Sequence, residues 1–260
     1  MPSEPAGGRV EILALAPLPE VRPGDDLETL IGDALAATDG LLPLRAGDVL
    51  VVTQKIVSKA EGAVADLRTV VPRPEAVAWA ERWDRDARQI EVVLREARRI
   101  VRMERGVLIT ETHHGFVCAN GGVDASNVGP GSGDLVTLLP RDPDASAARI
   151  RAALGARFGH DLPVIVSDSF GRPWRWGITD VALGVSGLLP LDDLRGRPDA
   201  DGRVMRTTVR AVADEIASAA ELALGKAAGR PVALVRGANP PLGEGSIRDA
   251  LMAPENDLFR

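Results

Sequence analysis

GDVLVVTQKIVSKAEG, residues 47–62, opens with an unbroken apolar run, Val49 to Val52, and closes on a polar stretch with two lysines. The run reads as a buried strand and the polar stretch as a loop at its end, where binding residues tend to gather. Upstream, RVEILALAPL (9–18) has the apolar weight of a first strand. The chain then turns at LPEVRPGDD, and Asp25 or Asp26 can cap a helix LETLIGDALAAT in which Leu27, Leu30, Ile31 and Leu35 recur at helical spacing. Residues 1–8, rich in Pro, Gly and Ser, are expected to be disordered, which leaves 9–260 as the folded domain. Downstream, Pro74 to about Arg102 reads as a long amphipathic helix or helix pair, and VLITETHHGFVCAN (107–120) as two short strands around a His-His-Gly turn. VGPGSGD (128–134) is a polar linker before a strand LVTLLP; a helix begins near Ser146, and the apolar strand LPVIVSD (162–168) follows it. RTTVRAVADEIASAAELALGKAAG (206–229) is the clearest helix, ended by Gly229-Arg230-Pro231, and should pack on the strand PVALVRG. Helices and strands alternate without a repeat period, which predicts a mixed α/β (α+β) chain and leaves strand order open.

With 260 residues, 45% apolar and 26% charged, the chain can bury an ordinary core, and with abundant Ala, Val and Leu and no Tyr that core should be aliphatic. A net charge of −6 without a basic stripe argues against a nucleic-acid surface, so an anionic ligand must be held locally. The single Cys118 excludes an internal disulfide framework. The start has neither a basic nor an apolar leader region, and no apolar run approaches the roughly 20 residues of a membrane helix. A cytoplasmic enzyme, away from membranes, is expected.

No GxxxxGK[ST] phosphate loop occurs, and GPGSGD at 129–134 lacks the spacing and flanking elements of a dinucleotide fingerprint. Adjacent histidines on a strand face opposite ways, so at most one of His113 and His114 can face a site, and a structural role is favoured. Cys118, within an apolar strand, reads as a small inert hydrophobe. Two loops carry the chemistry: GGVDASN (121–127) and SDSFGRPWRWG (167–177). Each lifts an aspartate, Asp124 or Asp168, out of an apolar strand, and Ser169 adds a hydroxyl; Mg²⁺ and Mn²⁺ prefer such hard oxygens, completed by water and phosphate. By spacing alone both aspartates are better read as turn residues or caps. The cationic, aromatic run after Asp168 and the lysines of 47–62 shift the weight toward a metal and nucleotide site.

Six segments in order, LPEVRPGDDL, GDVLVVTQKIVSKAEG, CANGGVDASNVG, SDSFGRPWRWGITDVALGVSGL, AVADEIASAAELALGK and the closing ENDLFR, resemble the coenzyme F420-0:L-glutamate ligases, the γ-glutamyl ligases of the deazaflavin coenzyme. The resemblance implies GTP-dependent ligation of L-glutamate to F420-0 through an acyl phosphate, and addition of a further γ-linked glutamate. It also implies two divalent ions, Mg²⁺ or Mn²⁺, a K⁺ ion, and an intertwined homodimer; the length allows one domain or two closely packed subdomains, and two with mixed sheets are expected. Carried over by position, Leu18, Pro19, Glu20, Val21, Gln54, Lys59 and Asn127 look like GTP contacts. Asp124 and Asp168 look like ligands of the first metal and Ser169 of the second. Arg172 and Arg175 suit the acidic substrate, or else brace their loop through backbone carbonyls. Lys55 is left out, since in an extended segment it points away from Gln54. The loop GANPPLGEGS departs from the family's pattern in its two prolines, and no flavin-binding domain follows ENDLFR, so no flavin is expected. Two other readings stay open: an amide ligase of the same architecture acting on another carboxylate, and a nucleotide- and metal-binding protein without turnover.

Overall fold

The computed structural model describes residues 8–126, 128, 133–226 and 228–258. Strand β1 (Glu11–Ala14) leads to helix α1 (Leu27–Ala37), which starts where the Asp26 carboxylate accepts from the Thr29 N–H at 3.0 Å. Strand β2 (Val49–Thr53) runs directly into helix α2 (Gln54–Ala60), where a polar loop was expected. Helical winding places Gln54 and Ser58, four residues apart, on one face, where both donate to the Leu138 carbonyl, at 2.8 and 2.6 Å, and it buries Ile56 and Val57 in the core.

After β3 (Val64–Asp66) come α3 (Pro74–Trp83) and α4 (Ala87–Glu96), the expected helix pair. The pair ends early, because residues 97–104 form strand β4 (Ala97–Glu104) against β5 (Val107–Thr112). Arg105 and Gly106, both at positive φ (53° and 73°), make the two-residue turn of that hairpin, and Arg98 and Arg99 reach across to Glu111. Cross-strand pairing outweighs the helical preference of the Arg and Glu residues. Strand β6 (Val117–Ala119) completes this sheet, and β7 (Leu135–Thr137) pairs antiparallel with β3.

Helix α5 (Pro143–Phe158) begins three residues before the expected start, capped by Asp142 with Pro143 in its first turn. Strands β8 (Val164–Arg172) and β9 (Arg175–Ser186) form a long hairpin, followed by the short ladder of β10 (Asp192–Asp193) with β11 (Val209–Arg210). Because Val209 and Arg210 are drawn into that ladder, α6 (Val212–Leu224) starts later than the composition suggests. Strand β12 (Val232–Arg236) closes the main sheet.

That sheet has the order β1-β12-β2-β8-β9, with β2 and β8 parallel and the other pairs antiparallel. Leu50, Val52, Val164 and Val166 pack on one face with Ile31 and Leu35 of α1 and Ile150 and Leu154 of α5. Val49, Val51 and Ile165 pack on the other with Ile216, Ala217 and Ala220 of α6. Burial on both faces is why β2 shows no polar alternation. A separate core around Trp79, Ile90, Val93, Leu108 and Val136 joins α3 and α4 to the β4–β6 side, giving the expected mixed α/β chain of two closely packed subdomains. Among the described residues no helix is long and apolar enough to cross a membrane.

Candidate functional site

Parallel strands end together, and β2 and β8 do so with Thr53 beside Ser167. Lys55, Asp124, Asp168 and Ser169 lie just past this edge, as expected for open α/β sheets, where ligands sit outside the carboxyl ends of the strands.

Asp124 arrives from the second subdomain. The chain passes Asn120, Gly121 and Gly122, all at positive φ (54°, 58° and 72°), and a Cβ at Gly122 would lie 2.6 Å from Leu139, so glycine is required there. Asp124 then bridges to Thr137, its N–H donating to the Thr137 carbonyl at 3.1 Å and its own carbonyl accepting at 2.8 Å. Its carboxylate accepts from the Ser126 N–H at 2.7 Å, the Ser126 hydroxyl at 2.8 Å and the Lys55 ammonium at 2.6 Å. Burial alone would raise this carboxyl, but the Lys55 and Ser126 hydrogen bonds outweigh it and hold it below the ordinary range.

Lys55 is therefore part of the site, against the expectation from an extended segment. On helix α2, Lys55 and Lys59 are one turn apart on the same side. Lys55 reaches Asp124, and the nearly buried Lys59 pairs with Glu20 at 2.6 Å. The LPEV turn is held beside α2 by this pair and by the Gly24 N–H donating to the Ala60 carbonyl at 2.9 Å. Of the nucleotide candidates, Glu20 and Lys59 thus touch one another. Leu18 and Val21 pack on the core with Pro19 exposed between them, and Gln54 is buried with its amide on Ser58 and Leu138. Asn127 lies outside the described residues.

The stretch 167–177, expected as a loop, is the outer half of the β8–β9 hairpin, so Asp168 sits within a strand. A register shift between Val166 and Ser167 leaves Leu183 as the extra residue on β9 and sets Ser169 opposite Asp180. Pro173 and Trp174 make the turn, Trp174 at φ 58° and largely exposed. Consecutive strand residues face opposite ways, which divides Asp168 from Ser169. Burial pushes the Asp168 carboxyl up to about 6, and the charges of Asp180 and Asp124 push the same way. Ser169 donates to Asp180 at 2.6 Å, Ser167 donates to the other Asp180 oxygen at 3.2 Å, and Lys226 at the end of α6 donates to Asp180 at 3.2 Å and also contacts the Ser169 hydroxyl. Asp180 and Lys226 escape a sequence reading because only the hairpin register and the helix end bring them to Ser169. Arg172 donates to the Trp176 carbonyl at 3.1 Å, the bracing alternative, while Arg175 stands exposed at the tip.

The donors at this edge are carboxylates and hydroxyls, which fit a hard divalent ion. Among the described residues no three His, Cys, Asp or Glu side chains are gathered tightly enough to hold a metal alone, so such an ion would need oxygens from water or substrate. The histidines take structural roles: in the β5–β6 turn, the His113 and His114 rings bond the carbonyls of Arg95 (3.2 Å) and Pro140 (2.9 Å). Cys118 is buried with its thiol pushed up to about 12.

Residues 16–237 match the family described as F420-0:Gamma-glutamyl ligase. The chain is 41% identical over 253 residues to the coenzyme F420:L-glutamate ligase of Methanocaldococcus jannaschii, covering 97% of each chain. It is 43% identical to the proteins of the same name from Methanothermobacter thermautotrophicus (96% of this chain, 99% of the relative) and Methanopyrus kandleri (97% and 100%). Near-complete coverage at this identity, on a chain whose carboxylates and lysines meet at one sheet edge, means that the protein belongs to the F420-0:γ-glutamyl ligase family.

Proposed function

We propose that this protein joins L-glutamate to coenzyme F420-0 with GTP as the energy source, and then adds a further γ-linked glutamate. The observation that carries the reading is the Asp124 carboxylate on the Lys55 ammonium, with the Asp168 carboxyl near enough to feel both charges, past the ends of β2 and β8 in a chain so similar to proteins named as this ligase. The γ-phosphoryl group of GTP passes to the terminal carboxylate of F420-0, giving GDP and an acyl phosphate. The glutamate amine attacks the activated carbonyl, the amide forms, and phosphate and a proton leave. Two divalent ions, Mg²⁺ or Mn²⁺, bound by Asp124 and Asp168 and by Ser169, supply charge neutralisation for the transferring phosphoryl group. Lys59, Gln54, Asn127 and the turn Leu18, Pro19, Glu20 and Val21 hold the nucleotide; Arg172 and Arg175 meet the acidic acceptor. K⁺ and a homodimer belong to the same reading. The hairpin tip presents Trp174, Trp176 and Ile178 at 82%, 101% and 55% exposure, an apolar surface suited to a second copy.

The test is incubation of the purified protein with GTP, Mn²⁺, L-glutamate and F420-0. Products one and two glutamates heavier by mass spectrometry, with matching GDP release, are expected. Absence of any mass gain with authentic F420-0 overturns the reading; equal turnover with ATP overturns its nucleotide assignment.

A further inference from the structure

The residues around Ser169 do something that a ligand set alone does not explain. Asp180 is 3% exposed and is reached by one ammonium, Lys226, which also contacts the Ser169 hydroxyl and pairs with Glu221 at 2.6 Å. Lys226 is half exposed, just past the Gly225 cap of α6, where a lysine side chain can swing at little cost. One cation therefore stands on Ser169, assigned above to the second divalent ion, and on the Asp180 carboxylate beside it, with a second acceptor, Glu221, already in reach.

We propose that Lys226 is a positioning residue of the ligation site: its ammonium holds Ser169 and Asp180 before the second divalent ion binds, and it withdraws to Glu221 when that ion enters. This rests on the assignment of Ser169 under the proposed function. Competition between two cations for the same oxygens weakens binding of the second ion to the free protein, and the nucleotide's phosphate oxygens tip the balance. The site then acquires its full charge only together with the substrate that the charge serves. Lys226 transfers no proton and forms no bond in the reaction.

Mn²⁺ binding to the free protein, read by electron paramagnetic resonance of the unbound ion, tests this apart from activity. Lys226→Gln is expected to tighten the weaker Mn²⁺ class by roughly two- to fivefold, the size of a partly exposed ion pair. Glu221→Gln should move the same class the opposite way, since Lys226 then has only Asp180 to pair with. In the double variant, removing Glu221 should have little further effect, because Glu221 acts through Lys226. In the ligation assay, Lys226→Gln should lower the Mn²⁺ concentration for half-maximal rate more than it changes kcat, with Lys226→Arg restoring the wild-type requirement. Unchanged or weakened Mn²⁺ binding in Lys226→Gln, or an undiminished Glu221→Gln effect in its background, overturns the proposal. Failure of the wild type to ligate would overturn the proposed function instead, while the Mn²⁺ titrations would still decide whether Lys226 competes for the seat.

Discussion

The two ends of β2 hold opposite kinds of buried charge. At its start, Asp48 is fully buried and the Arg236 guanidinium covers it with paired bonds of 2.9 Å, donating further to the Leu41 carbonyl at 2.9 Å. One acid meets one base, and Nη2 of that base also reaches the Leu41 carbonyl. Past its other end, Asp124, Asp168 and Asp180 face Lys55 and Lys226, so acids exceed bases, and burial, helped by the Asp180 and Asp124 charges, leaves Asp168 with a raised carboxyl. A fold closes a buried charge where it only has to be stable and leaves it short of partners where a cation or phosphate has to bind.

The sharpest way to break this contrast is Arg236→Ala. It strands Asp48, and thermal unfolding should show a loss of about 3 to 5 kcal/mol, on the order of 10 °C for a domain of this size. A loss below about 1 kcal/mol would mean the pair is not closed. Next, Asp124→Asn keeps the shape but removes a charge from the acidic end. Ligation should fall on the order of a hundredfold while thermal stability shifts by about 1 kcal/mol or less, and wild-type turnover would show that the cations bind elsewhere.

Asp168 reports its burial beside these charges through pH. Its folded carboxyl titrates near 6 against an ordinary 3.8, so the folded chain binds this proton more tightly than the unfolded chain. Stability of the metal-free protein is then highest below the unfolded value and falls as pH rises from about 4 to about 6. Asp168→Asn removes that fall and should make the metal-free protein about 3 kcal/mol more stable near pH 7, with no gain below about pH 4. Denaturant melts of both proteins across that range check it; destabilisation at neutral pH would show that the ionised Asp168 is compensated by a cation in the fold. The smallest effect is expected at Cys118, where a buried, raised thiol should react with alkylating reagents only as the protein unfolds, and Cys118→Ala should ligate at the wild-type rate. Rapid labelling of the folded chain would contradict its burial.

Where sequence reading went astray, non-local pairing had overridden a local preference. Arg98 to Arg102 look helical by composition, yet Glu111 and the Arg105-Gly106 turn make them a strand. TQKIVSK looks like a loop after a strand, but Gln54 and Ser58 find the Leu138 carbonyl 80 or more residues away, and the helix they form is what swings Lys55 onto Asp124. The helix at Leu27, the buried run of β2, the two strands around His113 and His114 and the inert Cys118 were legible because each depends on neighbours along the chain.

By itself the sequence determined the class of the fold, through apolar runs and caps that act over a few residues, and the family, through ordered motifs such as CANGGVDASNVG and SDSFGRPWRWG. It also marked Asp124, Asp168 and Ser169 as the residues to watch. Only the tertiary structure decided how those residues stand: Asp168 and Ser169 divided by the pleat of β8, Asp124 tied to Lys55, and Ser169 tied to Asp180 and Lys226. Charge interactions depend on separation in space, and the separations here are set by strand register, a bulge and the end of a helix, none of which a linear pattern records.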